Sequence, residues 1–363
     1  MKNTEVLVIG GGPAGINAAL AASQLGAKVL LCERDGSLGG QLIKQSCKFF
    51  GREYAGLRGF EIGGSLLKQI EADDNIEVWL DCTVLGIYDD GVVTCDLQGK
   101  HVKVKPERII VATGAAEKHL AFAGNDLPGV FSAGAAETLI EQGVKPARRA
   151  LMVGAGNIGL TVSYQMKQVG VDVAAVVEAM PRIGGYLVHA ARLRRAGVPI
   201  MTGYTIVEAH GNGQVEGACI AKLDDNGKVV PGTMENIDCD AVCLAVGLSP
   251  LADLCWQAGC RMRFIHELSG HVPLVNDDLE TSVKGLYVAG DVSGLEEATT
   301  ALGEGRLAGL AAAASLGYGA DQAAALMDEA RAQLQVLREG PLSAKIRNGL
   351  AKAQLEGGVA DVD

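Results

Sequence analysis

VLVIGGGPAGINAA (Val6 to Ala19) and ALMVGAGNIGLTVS (Ala150 to Ser163) decide how this 363-residue chain is read. Gly10, Gly12 and Gly15 fill a G-x-G-x-x-G pattern in the first stretch, and Gly154, Gly156 and Gly159 fill it in the second. A short apolar run precedes each, the mark of a buried parallel strand. A helical stretch follows each, INAALAASQLG or LTVSYQMKQVG. The first glycine makes a tight turn, the second lets the backbone approach a pyrophosphate, and the third packs helix on strand. The phosphates then rest on unpaired N–H groups at the helix N-terminus. Two such units make two dinucleotide sites and suggest a relay between two cofactors.

Each helix leads into another strand with an acid at its end. KVLLCE ends at Glu33, 18 residues after Gly15, and VDVAAVVE ends at Glu178. A carboxylate there can accept a hydrogen bond from a ribose hydroxyl. It also repels a 2′-phosphate, which at the second site favours NAD over NADP. Arg182, close behind, softens that preference, and Glu178 can equally be a plain strand-end acid.

Composition narrows the class. The length suffices for two domains with cores of their own, and 49 glycines with 48% hydrophobic residues suit a glycine-rich α/β protein. A net charge of −11 argues against a nucleic-acid surface. No apolar run is long and uninterrupted enough to span a bilayer. No secretory segment is visible, so a reducing, cytoplasmic compartment is expected. Nine cysteines are scattered with no C-x-x-C, and His210, His266 and His271 show no metal-ligand spacing. No metal site is expected.

The expected fold is α/β, with two Rossmann-like dinucleotide-binding domains, the second inserted into the first, and a helical C-terminal tail. RIIVATGA (Arg108 to Ala115) closes the first half of domain one, and AVCLAVGLSP (Ala241 to Pro250) echoes it at the end of domain two. The boundaries expected are 1–115 with 251–320, then 116–250, then a tail over 321–363. Gln322 to Gly340 and Pro341 to Leu355 read as polar amphipathic helices that cover the core or dock a partner.

These elements together resemble the two-dinucleotide-binding-domain flavoproteins, the group that includes thioredoxin reductase. Four signals stand in that group's order: the first fingerprint, ATG, the second fingerprint, and GD. The resemblance implies FAD at the first fingerprint and NAD(H) at the second. It implies adenine contact at the Val84 backbone, and cofactor contacts at Thr113 and Gly114 and at their echo, Gly247. GGQL (Gly39 to Leu42) matches the segment beside the flavin ring, with Gly40 and Gln41 as cofactor contacts. Gly290 and Asp291 would hold the ribityl chain. The helix starting near Thr299 would aim its positive N-terminus at the flavin pyrimidine. That group's paired redox cysteines are missing: CWQAGC (Cys255 to Cys260) follows the second domain, and Cys47 stands alone. A disulfide reductase is therefore not expected.

The chain is more closely similar to the FAD- and NAD-binding subunits of amine, opine and proline dehydrogenase complexes. Val177 to Ile200, Leu251 to Phe264 and Gly294 to Gly317 carry that similarity. It implies transfer of hydride or electrons between NAD(H) and a partner subunit, itself flavin- or iron–sulfur-bearing, that oxidises an amine or imino acid. The alternative is a self-sufficient NADH-dependent flavin reductase of a small organic substrate. No cysteine follows Gly340, so an iron–sulfur centre would sit on another chain. The cofactors carry hydride chemistry, so no catalytic triad is expected. Gln41, Lys44 and Cys47 are the catalytic candidates. The plainer readings are a loop amide bound to backbone for Gln41 and a solvated loop lysine for Lys44, while Cys47 reads as structural before reactive, since no partner cysteine is near in sequence.

Overall fold

A computed structural model of the chain describes residues 1–49, 54–340 and 343–355. It divides into two compact units, Met1–Ala116 with Ser249–Asp363, and Glu117–Leu248. Both are α/β and built on parallel strands of the Rossmann type.

The first unit holds a seven-stranded sheet. Its parallel part runs Ile76–Trp79, Val29–Cys32, Lys2–Ile9, Lys100–Val111 and Leu286–Val288. The strand Lys100–Val111 is long enough to do two jobs. Its first half pairs with the antiparallel hairpin Cys82–Ile87 and Val93–Leu97, and its last residues lie between the N-terminal strand and Leu286–Val288. Strands buried on both faces must be apolar throughout, and all four residues of Val29–Cys32 are buried.

Two small-residue helices pack on this sheet. Pro13–Gln24 and Ala298–Ser315 each bury five alanines. Gly305 and Gly309 let the helices approach, because a side chain at either would strike the Ala14 or Ala18 carbonyl. The tail packs into the same unit. Helix Ala323–Arg338 buries Ala330 and Leu334, and helix Ala344–Ala353 buries Ala353 beside Ile265, Leu268 and Val272. These faces cover core, one of the two readings open for the tail. Pro341, where the second tail helix was expected to start, and residues 356–363 lie outside the described residues.

The second unit repeats the design with five parallel strands in the order Ile200–Thr202, Asp172–Glu178, Arg149–Val153, Ala241–Leu244, Val130–Ser132. Helices Ala133–Glu141, Asn157–Gln168 and Leu187–Arg195 connect them. The Ser132 hydroxyl caps the first, accepting the Ala135 N–H at 3.2 Å. A three-stranded antiparallel sheet, Tyr204–His210, Gly217–Lys222 and Glu235–Asp238, completes the unit.

Candidate functional site

The two fingerprints are the same construction made twice. Gly10 and Gly154 both sit at φ +109°, a conformation that favours glycine. The Gly10 N–H donates to the Cys32 carbonyl at 2.8 Å, and the Gly154 N–H to the Val177 carbonyl at 2.7 Å. Gly12 and Gly156 are extended N-cap residues without a side-chain cap, so the first-turn N–H groups stay available. A Cβ on Gly12 or Gly156 would meet nothing, leaving an open cradle above each helix. A Cβ on Gly15 or Gly159 would overlap the carbonyl oxygen of Gly10 or Gly154. Each position does what close backbone approach to a pyrophosphate requires.

The strand-end acids take a further part. Glu33 Oε2 accepts the Gly11 N–H at 2.6 Å, and its Oε1 accepts the Asp35 N–H at 2.8 Å. Glu178 does the same with the Ala155 N–H at 2.7 Å and the Met180 N–H at 2.9 Å. Both carboxylates therefore shape their own glycine loop. A carboxylate has lone pairs left after two such bonds, so a ribose hydroxyl remains compatible with either. Arg182 is exposed close behind Glu178.

One correspondence went unread in the sequence. Gly39 donates its N–H to Gly11 O at 2.8 Å, and Gly185 donates to Ala155 O at 2.9 Å. A Cβ on Gly40 would press on Gly12, and one on Gly185 on Gly156. The segments are LGGQL (Leu38 to Leu42) and IGGYL (Ile183 to Leu187). Gly184 and Gly185 thus flank the second fingerprint as Gly39 and Gly40 flank the first. The signal was present as a second GG in the matching place of the repeat.

In the first unit, Gln41 is exposed and opens a short turn, Leu42–Lys44, while Lys44 and Cys47 are partly buried. Arg58 Nη1 holds this segment by donating to Ser46 O at 2.6 Å. Residues 50–53 lie outside the described residues. Val84 is half-buried in Cys82–Ile87, opposite Cys95. The Thr113 hydroxyl donates to Leu251 O at 2.7 Å, and Gly114 O accepts the Leu251 N–H at 2.9 Å. In the second unit Gly247, at φ +111°, accepts the Lys118 N–H at 2.9 Å.

The GD turn is strongly acidic. Gly290 donates its N–H to Glu304 Oε2 at 2.8 Å, and the Ser293 hydroxyl donates to the same oxygen at 2.9 Å. Arg338 bridges the other Glu304 oxygen to Glu296. Burial, then the negative charges of Glu304, Glu296 and Glu297, raise the Asp291 carboxyl to about 6. Thr299 lies in the first turn of Ala298–Ser315, a helix whose N-cap, Glu297, makes no side-chain cap. The fold also gathers Cys32, Cys82 and Cys95, which sequence spacing did not connect.

Residues 4–305 match the family described as pyridine nucleotide-disulphide oxidoreductase. The chain belongs to that family. It is an oxidoreductase by this membership, and the family uses a flavin and a nicotinamide nucleotide. Among its relatives, the alpha subunit of sarcosine oxidase from Rhizobium meliloti (strain 1021) is 29% identical, over 83% of this chain and 29% of the relative. An opine oxidase subunit from Agrobacterium tumefaciens (strain Ach5) is 28% identical, over 86% of this chain and 66% of the relative. The chain thus spans under a third of the first and about two thirds of the second. Among solved structures, L-proline dehydrogenase from P. horikoshii superposes with a TM-score of 0.71 at 25% identity, covering 91% of this oxidoreductase and 58% of that chain. T. acidophilum thioredoxin reductase superposes at 0.72 over 87% of this chain and 99% of its own, and at 21% identity it speaks for the fold alone. No helix among the described residues is long and apolar enough to cross a membrane.

Proposed function

We propose that this oxidoreductase is one subunit of a complex, passing hydride and electrons between NAD(H) and FAD, and onward to or from a partner subunit oxidising an amine or imino acid. The observation that carries the reading is the duplicated site, two glycine loops of one geometry in two separate units. Bound FAD would supply the hydride and electron chemistry.

The residues fit the groups. Gly10, Gly12 and Gly15 would take the FAD pyrophosphate, with Glu33 on its ribose and the Val84 backbone beside adenine. Thr113, Gly114, Gly290 and Asp291 would hold the flavin arm, and Gly40 and Gln41 its ring edge. The uncapped helix end at Thr299 would face the pyrimidine, where a positive helix terminus offsets negative charge. Gly154, Gly156, Gly159 and Gly247 would hold the second nucleotide, and Glu178 favours NAD. Lys44 would offset charge near the flavin, and Cys47 stays a candidate beside it.

The partner reading rests on the relatives' names, which are those of oxidase subunits. A second flavin or iron–sulfur subunit is the expected electron partner. A cytoplasmic location belongs to the same reading and is supported by cysteines that form no disulfide among the described residues. The test is to purify the tagged chain from its native cells and assay the complex with secondary amines and imino acids. A stable second subunit, with amine-dependent flavin reduction in the complex and none in the isolated chain, supports the proposal. A lone chain that turns over NADH with a small acceptor favours the self-sufficient reductase instead.

A further inference from the structure

Three cysteines distant in sequence meet beneath the first fingerprint. Cys32 ends the strand Val29–Cys32, Cys82 begins Cys82–Ile87, and Cys95 lies in the middle of Val93–Leu97. Cys95 pairs opposite Val84, two residues from Cys82, so Cys82 and Cys95 share one face of the hairpin. The backbone sets the third: Cys82 donates its N–H to Glu33 O at 2.8 Å, next to Cys32. All three Sγ atoms lie within 4.8 Å of one another, and no member is more than 2% exposed. Among the described residues no other His, Cys, Asp or Glu group converges this way.

One buried cysteine is ordinarily a small hydrophobe. Three convergent sulfurs are a donor set. An equilateral triangle of 4.8 Å side has its centre about 2.8 Å from each corner (4.8/√3). A metal–thiolate bond is about 2.3 Å long, so for separations up to that limit an inward shift of at most about half an ångström per sulfur completes a site. Sulfur donors select soft ions over magnesium or calcium. Structural zinc takes four ligands and iron–sulfur clusters take four cysteines, whereas this set offers three.

We propose that Cys32, Cys82 and Cys95 form a buried three-sulfur site for a soft, thiophilic metal ion of low coordination number, with Cu(I) as the representative occupant. Each metal–sulfur bond that replaces an S–H releases a proton to solvent, so affinity rises with pH. No electron is transferred. The Cys32 carbonyl holds Gly10 and the next residue, Glu33, holds Gly11, so an ion here braces the loop from below. A closed site fills as the strands assemble, and the ion must be supplied during synthesis.

The full chain is therefore expressed in copper-supplemented cells and purified without oxygen, and its metal is counted and examined by X-ray absorption. The expected result is one copper per chain with three sulfurs at about 2.3 Å. Cys82→Ala and Cys95→Val should each lower retained copper by about tenfold or more. A double variant at the other neighbouring pair, Cys255→Ala with Cys260→Ala, should keep it. Copper absent from the wild type, held by two sulfurs or by mixed ligands, retained in Cys82→Ala, or lost with the Cys255 and Cys260 pair overturns the proposal. Should the core variants fail to fold, the wild-type absorption spectrum decides alone.

Discussion

Glu33 accepts the backbone N–H of Gly11 at 2.6 Å, so the acid expected to meet a ribose also holds the glycine loop in shape. Its other oxygen accepts the Asp35 N–H. Glu33→Gln keeps the shape but leaves one acceptor oxygen where two N–H groups need partners. Stability without FAD should fall by about 1–3 kcal/mol, the cost of one unmet buried donor. Chemical denaturation of the flavin-free protein measures this. An unchanged midpoint, with only FAD affinity reduced, would mean that the carboxylate acts on the ribose alone.

Glu178 stands in the same relation to Ala155 and governs nucleotide choice in the proposed function. Replacing it by serine removes the charge that repels a 2′-phosphate, with exposed Arg182 close by. The ratio of kcat/KM for NADH over NADPH should drop by about tenfold, or about 1.4 kcal/mol. Steady-state rates with both nucleotides check it, and an unaltered ratio would reduce Glu178 to a loop support.

Asp291 is an acid kept at an energetic cost. Its carboxyl is raised to about 6 from an ordinary 3.8, first by burial and then by neighbouring carboxylates. The folded state therefore binds more protons than the unfolded state between these values, and stability falls as pH rises through that window. Asp291→Asn should make the flavin-free chain more stable at about pH 7.5 by roughly 1–3 kcal/mol, with little gain at about pH 4. The same change should weaken FAD binding if Asp291 holds the ribityl chain. Thermal melts at the two pH values, with and without FAD, separate the effects.

Arg338 ties the tail to the GD turn. It reaches Glu296 through Nε at 3.0 Å and Glu304 through Nη2, and all three are largely buried. Arg338→Met would strand two carboxylates and should cost about 3–5 kcal/mol. In the variant the folded carboxyls hold protons at higher pH than the unfolded ones, so acidification should shrink the deficit. Denaturant titrations from about pH 7.5 to about 5 test this, and a deficit that does not change with pH would contradict the ion-pair explanation.

Local features were legible in the chain, and features made by distant strands were not. Gly10, Gly12 and Gly15 and their counterparts are readable because turn, cradle and helix start all fall within a few residues. The acids at Glu33 and Glu178 follow from strand length. Their grip on Gly11 and Ala155 does not, since it needs two strand ends side by side. Gly184 and Gly185 were within reach through the repeat of LGGQL as IGGYL. The Cys32, Cys82 and Cys95 group was not, because its members come from three strands whose order only the folded sheet fixes. Arg338 lies in a stretch legible only as a polar amphipathic helix, and its burial depends on where that helix docks.

The central claim, two cofactor sites working as a relay within one chain, meets its most direct test in one mixing experiment. The purified chain carrying FAD is mixed with NADH without oxygen, and flavin absorbance is followed at about 450 nm. Rapid bleaching is predicted, together with its loss in Gly159→Ala, where a side chain would strike the Gly154 carbonyl and disable the second loop. Flavin that stays oxidised in the wild type under excess NADH would contradict the relay.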